Sequence, residues 1–366
     1  MANQPTIDDN EAARRQRAAR LFTEPKLDAL YVTSPHNIRY LTGFTGSNGA
    51  LLLFSDGHAV FFTDPRYTVQ SKQQVTCKVV IAKGPLTKSV LSEIARAKSG
   101  RVGFEQDHLT VGQFESLRKT LPVKAELVPV TGLIERLRMV KDAAEIALIR
   151  ASVIGNSRAL ESALKRFHMG MTESELAAEI DYKNRKFGAE APAFDTIVAA
   201  GPRAALPHAH PGHAKIDTGI LLIDMGAFRN GYASDMTRMA YVGRADAKYK
   251  RAYKAVLEAQ LAAIHAIKPG ALTSAVDRAA RQTLKKHGLE REFIHSTGHG
   301  LGLDIHEQPR IGKKDKTKLE PGMAITVEPG VYIEGWGGIR IEDTVLVTET
   351  GCEILTATTK ELREIC

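Results

Sequence analysis

Four acidic residues interrupt stretches of sequence that otherwise consist of the aliphatic residues typical of buried β-strands. They are Asp224, Asp235, Glu328 and Glu342. Buried carboxylates repel one another strongly unless a positive charge lies between them. The set therefore predicts a cation site, and a pair of divalent ions would neutralise all four acids.

Two of these acids are expected to meet across a β-hairpin. Asn230-Gly231 is the dipeptide most typical of a two-residue turn. Such a turn places Asp224 opposite Thr237 and Asp235 opposite Gly226, so that the two acids are diagonal neighbours on one face. For any single acid, a strand-end position with its own Arg or Lys partner is the simpler explanation. For all four together, a metal site is favoured.

Half of the twelve histidines fall in two short segments. They are His208, His210 and His213, followed by His295, His299 and His306. His299 could add an imidazole to the four carboxylates, and this donor set suits Mn²⁺, Co²⁺, Fe²⁺ or Zn²⁺. The glycines on both sides of His299 argue against a helical zinc motif and let the backbone approach the site closely. For His210 and His213, exposed loop positions are expected.

These residue types predict metal-dependent hydrolysis. Two divalent ions about 3.5 Å apart can hold and orient a hydroxide while they polarise a carbonyl group. Clustered histidines beside such ions suit proton transfer and stabilisation of the carbonyl oxygen.

The elements that must position these residues divide the chain into two expected domains. Residues 12–134 alternate short strands and helices, with a hairpin over residues 50–63, which predicts a mixed sheet with helices against it. Residues 135–366 contain four helical patterns, over residues 143–167, 173–187, 249–267 and 271–287. Because the order helix, helix, strand pair occurs twice, we expect a pseudo-symmetric α/β domain.

Composition is that of a soluble globular protein, with 43% hydrophobic and 25% charged residues. No apolar run approaches the roughly 20 residues that a membrane helix needs, and residues 1–13 lack the apolar segment of a secretory signal. The cysteines have neither metal-ligand nor disulfide spacing. The net charge of +8 is scattered along the chain, so a solvated surface is favoured over nucleic-acid binding. We therefore expect a cytoplasmic protein without nucleic-acid or membrane partners.

Several segments together resemble the pita-bread metallopeptidase family, which includes methionine aminopeptidase, Xaa-Pro aminopeptidase and Xaa-Pro dipeptidase (prolidase). They are Leu222-Ile-Asp224-Met-Gly-Ala, Ser234-Asp235-Met-Thr-Arg, His295-Ser-Thr-Gly-His299-Gly-Leu-Gly-Leu-Asp-Ile-His306-Glu, Val327-Glu328-Pro-Gly and Gly338-Ile-Arg340-Ile-Glu342-Asp. Asn37-Ile-Arg-Tyr-Leu-Thr-Gly-Phe-Thr-Gly and Thr63-Asp-Pro-Arg66-Tyr resemble the N-terminal domain of the proline-specific branch. The resemblance implies a creatinase-type mixed-sheet domain followed by a pita-bread catalytic domain.

The resemblance also implies a role for each matching residue. The implied metal ligands are Asp224, Asp235, His299, Glu328 and Glu342. Asp235 and Glu342 would bridge two divalent ions, with Mn²⁺ as the expected metal, and Glu328 would also be the acid/base. His208 would contact the substrate around the scissile bond. His295 and His306 would hold its proline and carbonyl side, and Arg340 would steady the metal centre.

The implied activity is hydrolysis of the bond that precedes proline. An Xaa-Pro amide has no N–H and a fixed ring, so a site can select it by shape. We expect a Xaa-Pro aminopeptidase, and the alternative is a prolidase restricted to dipeptides; whether the cleft is open beyond the proline distinguishes them. An inactive binding protein with this fold is less favoured because all five ligands are present. The family further implies a homodimer that acts on proline-containing peptides.

Overall fold

A computed structural model describes residues 7–366 of the chain. The chain folds as two compact units, the first ending at Arg138 and the second running over Met139–Cys366. The expectation that residues 1–13 are not a secretory signal falls partly on residues 1–6, which lie outside the described residues. Among the described residues, no helix is long and apolar enough to cross a membrane.

The first unit is a mixed sheet with helices against it, as predicted. Its elements are α1 (Ile7–Arg20), β1 (Ala29–Val32), α2 (Pro35–Thr42), β2 (Gly49–Phe54), β3 (Ala59–Thr63), α3 (Thr68–Gln74), β4 (Lys78–Ile81), α4 (Leu86–Ala97), β5 (Arg101–Glu105), α5 (Val111–Thr120), β6 (Glu126–Val130) and α6 (Leu133–Met139). The strand order is β4-β3-β2-β1-β5-β6. β2 is antiparallel to both of its neighbours, and the other pairs are parallel. The hairpin predicted over residues 50–63 is the β2–β3 pair.

The second unit contains the predicted helices and the strands that carry the acidic residues. Its elements are α7 (Ala143–Leu164), α8 (Glu173–Lys186), β7 (Ala191–Pro192), β8 (Ile197–Ala200), β9 (Gly219–Arg229), β10 (Tyr232–Val242), α9 (Ala247–His265), α10 (Thr273–Lys286), β11 (Gly298–Gly300), β12 (Glu307–Ile311), β13 (Ala324–Val327), β14 (Gly330–Ile333), β15 (Gly337–Arg340), β16 (Asp343–Val347), β17 (Cys352–Ile354) and β18 (Glu364–Ile365). One sheet has the order β18-β10-β9-β7, with β8 also on β9. Another has the order β12-β11-β13-β16-β17, and β14 pairs with β15.

This unit consists of two halves with the same order of elements, which confirms the predicted pseudo-symmetry. Elements α7, α8, β8, β9 and β10 correspond to α9, α10, β11, β13 and β16. A glycine with positive φ precedes the second helix of each half, Gly170 at 85° and Gly270 at 79°. The residue just before each of these helices forms an isolated bridge with a later lysine: Thr172 with Lys215, and Leu272 with Lys318.

Alternation along β9 and β10 directs their acids towards the second half. Ile220 and Leu222 pack in the same apolar cluster as α9 and α10, whereas Leu221 and Ile223 pack with α7 and α8. Because successive side chains point to opposite faces of a strand, Asp224 shares the face of Ile220 and Leu222. The hairpin is therefore buried on both faces, and its acidic face is directed towards the second half.

Candidate metal centre

Asp224 and Asp235 lie on the β9–β10 hairpin, whose strands are each 11 residues long. The turn at Asn230-Gly231 has φ values of 49° and 78°, as a type I′ turn requires. It sets a register in which Asp224 pairs with Thr237 and Asp235 pairs with Gly226. The register predicted from the sequence is confirmed, and both acids are buried, with 9% and 5% of their surface exposed.

His299 lies at the centre of the short strand β11, between two glycines that allow close strand packing. A Cβ atom on Gly298 would lie 2.0 Å from the Thr326 carbonyl oxygen, and one on Gly300 would lie 2.2 Å from that of Gln308. The ring Nδ1 is 3.0 Å from the Gly300 carbonyl oxygen. Since a carbonyl can only accept a hydrogen bond, Nδ1 carries the proton and Nε2 presents its lone pair.

That lone pair faces carboxylates. Nε2 of His299 is 3.6 Å from Asp235 Oδ2 and 3.4 Å from Glu328 Oε1. Burial lowers the pKa of His299, with the Gly300 hydrogen bond opposing the shift. A neutral imidazole whose other nitrogen is hydrogen-bonded to a carbonyl is the form in which histidine binds a metal.

Glu328 and Glu342 lie at strand ends in the second half. β13 and β16 are antiparallel, with Val327 opposite Asp343, so Glu328 follows one strand and Glu342 precedes the other. Oε2 of Glu342 accepts a hydrogen bond of 2.7 Å from the Thr237 hydroxyl. Potential ligand atoms of Asp235, His299 and Glu342 all lie within 4.8 Å of one another, so acids from both halves meet at one place.

The electrostatics of this cluster fit a divalent metal centre. Burial, followed by the charges of Asp224 and Glu328, raises the pKa of Asp235. Burial and the charge of Asp235 raise the pKa of Glu342. Burial also raises the pKa of Glu328 to about 8, although the Arg340 charge opposes this shift. Oδ1 of Asp224 is buried without a hydrogen-bond partner among the described residues. These acids therefore require positive charge beyond that of Arg340 to remain ionised together.

Arg340 connects this cluster to the β14–β15 hairpin. Its side chain is buried, with 3% of the residue exposed. It donates to Asp224 Oδ2 at 2.6 Å, to the Thr237 hydroxyl at 3.0 Å and to the Tyr332 hydroxyl at 2.6 Å. Arg340 therefore fixes the Asp224 carboxylate and leaves its Oδ1 atom available.

Tyr332 in turn contacts His295. The His295 Nδ1 atom lies 2.8 Å from the Ser296 carbonyl oxygen and carries the proton, so Nε2 accepts from the Tyr332 hydroxyl at 2.9 Å. Burial lowers the pKa of His295 to about 4 and raises the pKa of Tyr332 to about 12. His295 is thus a neutral ring with both nitrogens engaged by the protein. Sequence analysis missed Tyr332; its place in an apolar segment just after Glu328 was the available indication.

His208 is exposed, and the segment that carries it is held by a buried acid. Glu173 begins α8 and is fully buried. Its carboxylate accepts hydrogen bonds from the backbone of Ala200 and Gly212 and from Arg203 Nε, at 2.9 to 3.1 Å. These contacts close residues 200–212 into a fixed loop. Arg340 Nη1 donates to the Pro207 carbonyl oxygen at 3.4 Å, which places the adjacent His208 beside the cluster; after burial, the charge of His208 also contributes to lowering the pKa values of His295 and His306. His210 and His213 are exposed, as expected.

His306 is exposed beside the candidate metal ligand His299. The two rings are 4.5 Å apart in an edge-to-face arrangement. Burial and the charge of His299 lower the pKa of His306. The next residue, Glu307, forms a buried ion pair of 3.0 Å with Lys141 and accepts from the Asp304 backbone. His306 is therefore presented by a fixed turn, although its own side chain reaches solvent.

Comparisons with known proteins agree with this geometry. Residues 14–140 match the creatinase/prolidase N-terminal domain, and residues 147–349 match metallopeptidase family M24. The chain is 37% identical to the Xaa-Pro dipeptidase of Pyrococcus furiosus, over 95% of this chain and 99% of that protein.

Solved structures show the same fold. A Xaa-Pro dipeptidase from Bacillus anthracis superimposes with a TM-score of 0.94 at 38% identity, covering 97% of this chain and 100% of that one. The X-Pro aminopeptidase from Thermotoga maritima gives 0.89 at 34% identity, covering 95% and 100%. The resemblance inferred from the motifs is confirmed: the chain belongs to metallopeptidase family M24.

Proposed function

We propose that the protein is a Xaa-Pro dipeptidase that uses two divalent metal ions. The convergence of Asp235, Glu328 and Glu342 on the His299 imidazole, with Asp224 near enough for its charge to raise the pKa values of these acids, supports metal-dependent hydrolysis. For the substrate, similarity to named Xaa-Pro dipeptidases reaches 38% identity, compared with 34% for the Thermotoga maritima aminopeptidase. The comparisons thus favour the dipeptidase over the aminopeptidase that we first expected from the sequence.

Five residues would hold the ions: Asp224, Asp235, His299, Glu328 and Glu342. Asp235 and Glu342, one from each half, would be shared between the two sites, because their potential ligand atoms lie within 4.8 Å of each other and the other acids surround them. The oxygen-rich donor set suits Mn²⁺. When bound, the ions supply Lewis-acid activation of a water molecule and of the scissile carbonyl group.

Other roles follow from where protons and hydrogen bonds are available. Glu328 would accept the proton of the attacking water and pass it to the proline nitrogen, because its carboxylate lies at the proposed centre, with Oε1 3.4 Å from His299 Nε2. His208 and His306 would donate hydrogen bonds to the carbonyl oxygen as its charge develops. His295 would offer its ring surface to the proline ring, since both of its nitrogens are occupied. Arg340 would hold Asp224 in place.

We assign recognition of the dipeptide's terminal carboxylate to Arg310, which sequence analysis did not single out. Arg310 lies directly opposite His299 in the β11–β12 pair, and paired residues share one face of a sheet. Its side chain is exposed, and a guanidinium group can bind a carboxylate through two hydrogen bonds. A cation at this position would select substrates that end at the proline.

Substrate length provides the decisive experiment. Ala-Pro and Ala-Pro-Ala are assayed with added Mn²⁺, after chelation, and after the metal is restored. We expect hydrolysis of Ala-Pro alone, lost on chelation and recovered with metal. Cleavage of Ala-Pro-Ala would support the aminopeptidase instead, and no turnover of either peptide with metal restored would refute a Xaa-Pro peptidase.

A matched pair of variants tests Arg310. We expect Arg310→Gln to raise KM for Ala-Pro roughly 10-fold or more, because a charge-assisted pair is lost, with little effect on Ala-Pro amide. Lys313→Gln, an equal change of charge three residues away, is the control. Equal losses on the acid and the amide would contradict the assignment.

We also propose that residues 12–134 and 135–366 are the functional domains and that the protein is a cytoplasmic homodimer acting on proline-containing peptides. This proposal rests on family resemblance. Sedimentation velocity on the purified chain tests the dimer, and a single species of about 40 kDa would contradict it.

A further inference from the structure

Helix α10 contains a buried ion pair that the proposed chemistry does not use. Asp277 and Arg281 are one helical turn apart, with 1% and 7% of their surface exposed. Arg281 donates from Nε to Asp277 Oδ2 at 2.8 Å and from Nη2 to Oδ1 at 3.2 Å. The cost of desolvating two buried charges largely offsets their attraction, so the pair itself adds little to stability. Its role is therefore indicated by the other hydrogen bonds that Asp277 and Arg281 make.

Those other contacts all go to one segment, residues 293–297. Arg281 Nη1 donates to the Phe293 carbonyl oxygen at 2.9 Å, and Nη2 donates to that of His295. Asp277 Oδ1 accepts from the Thr297 hydroxyl at 2.9 Å. The pair therefore contacts alternate residues of a segment that belongs to no helix or strand, up to its junction with β11.

This segment links three elements of the site. It carries His295, whose ring accepts from Tyr332. At its end, the Thr297 carbonyl accepts from the backbone N–H of Glu328 at 2.8 Å, and His299 follows two residues later. A shift of the segment would therefore displace the His295 ring relative to the carboxylate cluster.

The first half has a related but looser arrangement. On α8, Asp181 accepts from the Thr196 hydroxyl at 2.6 Å, as Asp277 does from Thr297. Arg185 lies one turn later, is exposed, and donates to the Glu190 carbonyl at 2.9 Å. The segment that they hold, residues 189–196, contains none of the proposed site residues. The buried, bidentate Asp–Arg pair is thus found in the second half, where it holds the segment that carries His295.

We propose that Asp277 and Arg281 are positioning residues that act through His295. They hold the main chain of residues 293–297 so that the His295 ring stays on Tyr332 and faces the bound proline. This inference rests on the proposed peptidase function, since it concerns the same site.

A double-mutant cycle tests the coupling. Arg281→Met should lower kcat/KM for Ala-Pro about 30-fold, the scale expected for a misplaced site group, while bound metal stays unchanged by mass spectrometry. In a His295→Ala background, the same substitution should cost less than about 3-fold, because the residue through which it acts is already lost. Arg281→Lys, which keeps the charge, should recover part of the activity and serves if Arg281→Met does not fold.

Arg185→Met is the matched control and should leave kcat/KM within about 2-fold, since its segment carries no site residue. Equal losses from Arg281→Met in both backgrounds would overturn the positioning role and leave a structural one.

If the wild-type chain hydrolyses no Xaa-Pro peptide, the proposed function fails separately. The cycle is then run on the Kd for Ala-Pro in the chelated protein by calorimetry, with the same expected and contradicting outcomes.

Discussion

The two halves of the second unit supply the proposed metal ligands from equivalent strands but by different means. In the first half, Asp224 and Asp235 lie inside an uninterrupted hairpin of 11-residue strands. In the second half, Glu328 and Glu342 lie just beyond paired strands of 4 and 5 residues. The β14–β15 hairpin is inserted between them and brings Tyr332 and Arg340. A regular ladder thus fixes two acids, whereas the other two depend on tertiary contacts.

The largest expected effect tests whether the two halves contribute equally to metal binding. Asp235→Asn and Glu342→Gln each remove one proposed bridging carboxylate, from the first and second half respectively. Each should lower bound metal and reduce kcat/KM at least about 10³-fold, because several kcal/mol of charge stabilisation is lost. Metal content and circular dichroism are measured together with activity. Full metal occupancy in either variant, with the fold intact, would break the equivalence of the halves at that position.

The inserted hairpin should account for the next largest effect. Arg340→Met removes the partner of Asp224 and should lower kcat/KM about 10- to 100-fold, as loss of a group that holds a metal ligand does. In the chelated protein it should also destabilise folding by about 3 kcal/mol, because a buried carboxylate loses its counter-charge. Urea unfolding with and without Mn²⁺ measures this cost. Arg340→Lys is the control for charge, and an unchanged kcat/KM in Arg340→Met would show that β14–β15 does not support the site.

The same difference explains how much could be predicted from the sequence. Asn230-Gly231 determined the register of β9 and β10 because a two-residue turn leaves no freedom in pairing. No local pattern determines the pairing of β13 with β16, since the segment between them is a separate hairpin. Glu328 and Glu342 were identified by their apolar surroundings and by motif resemblance. Tyr332 and Arg281 act on a ring nitrogen and on loop carbonyls, and such contacts exist only after the chain has folded.

A smaller effect should show that the turns of the β9–β10 and β14–β15 hairpins differ in their influence on kcat. Gly231 and Gly335 both have positive φ, 78° and 73°, so Gly→Ala at either should cost about 1 kcal/mol. Gly231→Ala should leave kcat unchanged, because the long ladder keeps its register: three residue pairs separate the turn from the pair of Asp235 with Gly226, and five separate it from the pair of Asp224 with Thr237. Gly335→Ala should lower kcat several-fold, because the short β14–β15 hairpin carries Tyr332 and Arg340. Unfolding free energies and kcat measured on both variants decide this, and the opposite ordering of kcat would show that the long hairpin is the more sensitive element.

The smallest effect concerns two equivalent loops, one in each half, that precede β9 and β13. The first, residues 206–218, contains His208, a single lysine and one acid, whereas residues 312–318 contain four lysines and one acid, Asp315. Asp315 is engaged by the Thr273 hydroxyl and the Thr317 backbone, both at 2.9 Å, and the lysines are exposed.

Residues 312–318 directly follow β12, in which Arg310 pairs with His299, so their positive charge should attract acidic substrates when salt is low. We expect the ratio of kcat/KM for Glu-Pro to kcat/KM for Gln-Pro to be about 2- to 3-fold larger at 20 mM NaCl than at 500 mM NaCl. Neutralising Lys313, Lys314 and Lys316 to Gln should remove this salt dependence. Lys285→Gln with Lys286→Gln, on the exposed last turn of α10, should preserve it, because those charges lie at the end of the helix remote from this loop. An unchanged salt dependence in the triple variant would show that the lysines of residues 312–318 do not attract acidic substrates. The charge difference between the two loops would then have no effect on substrate binding.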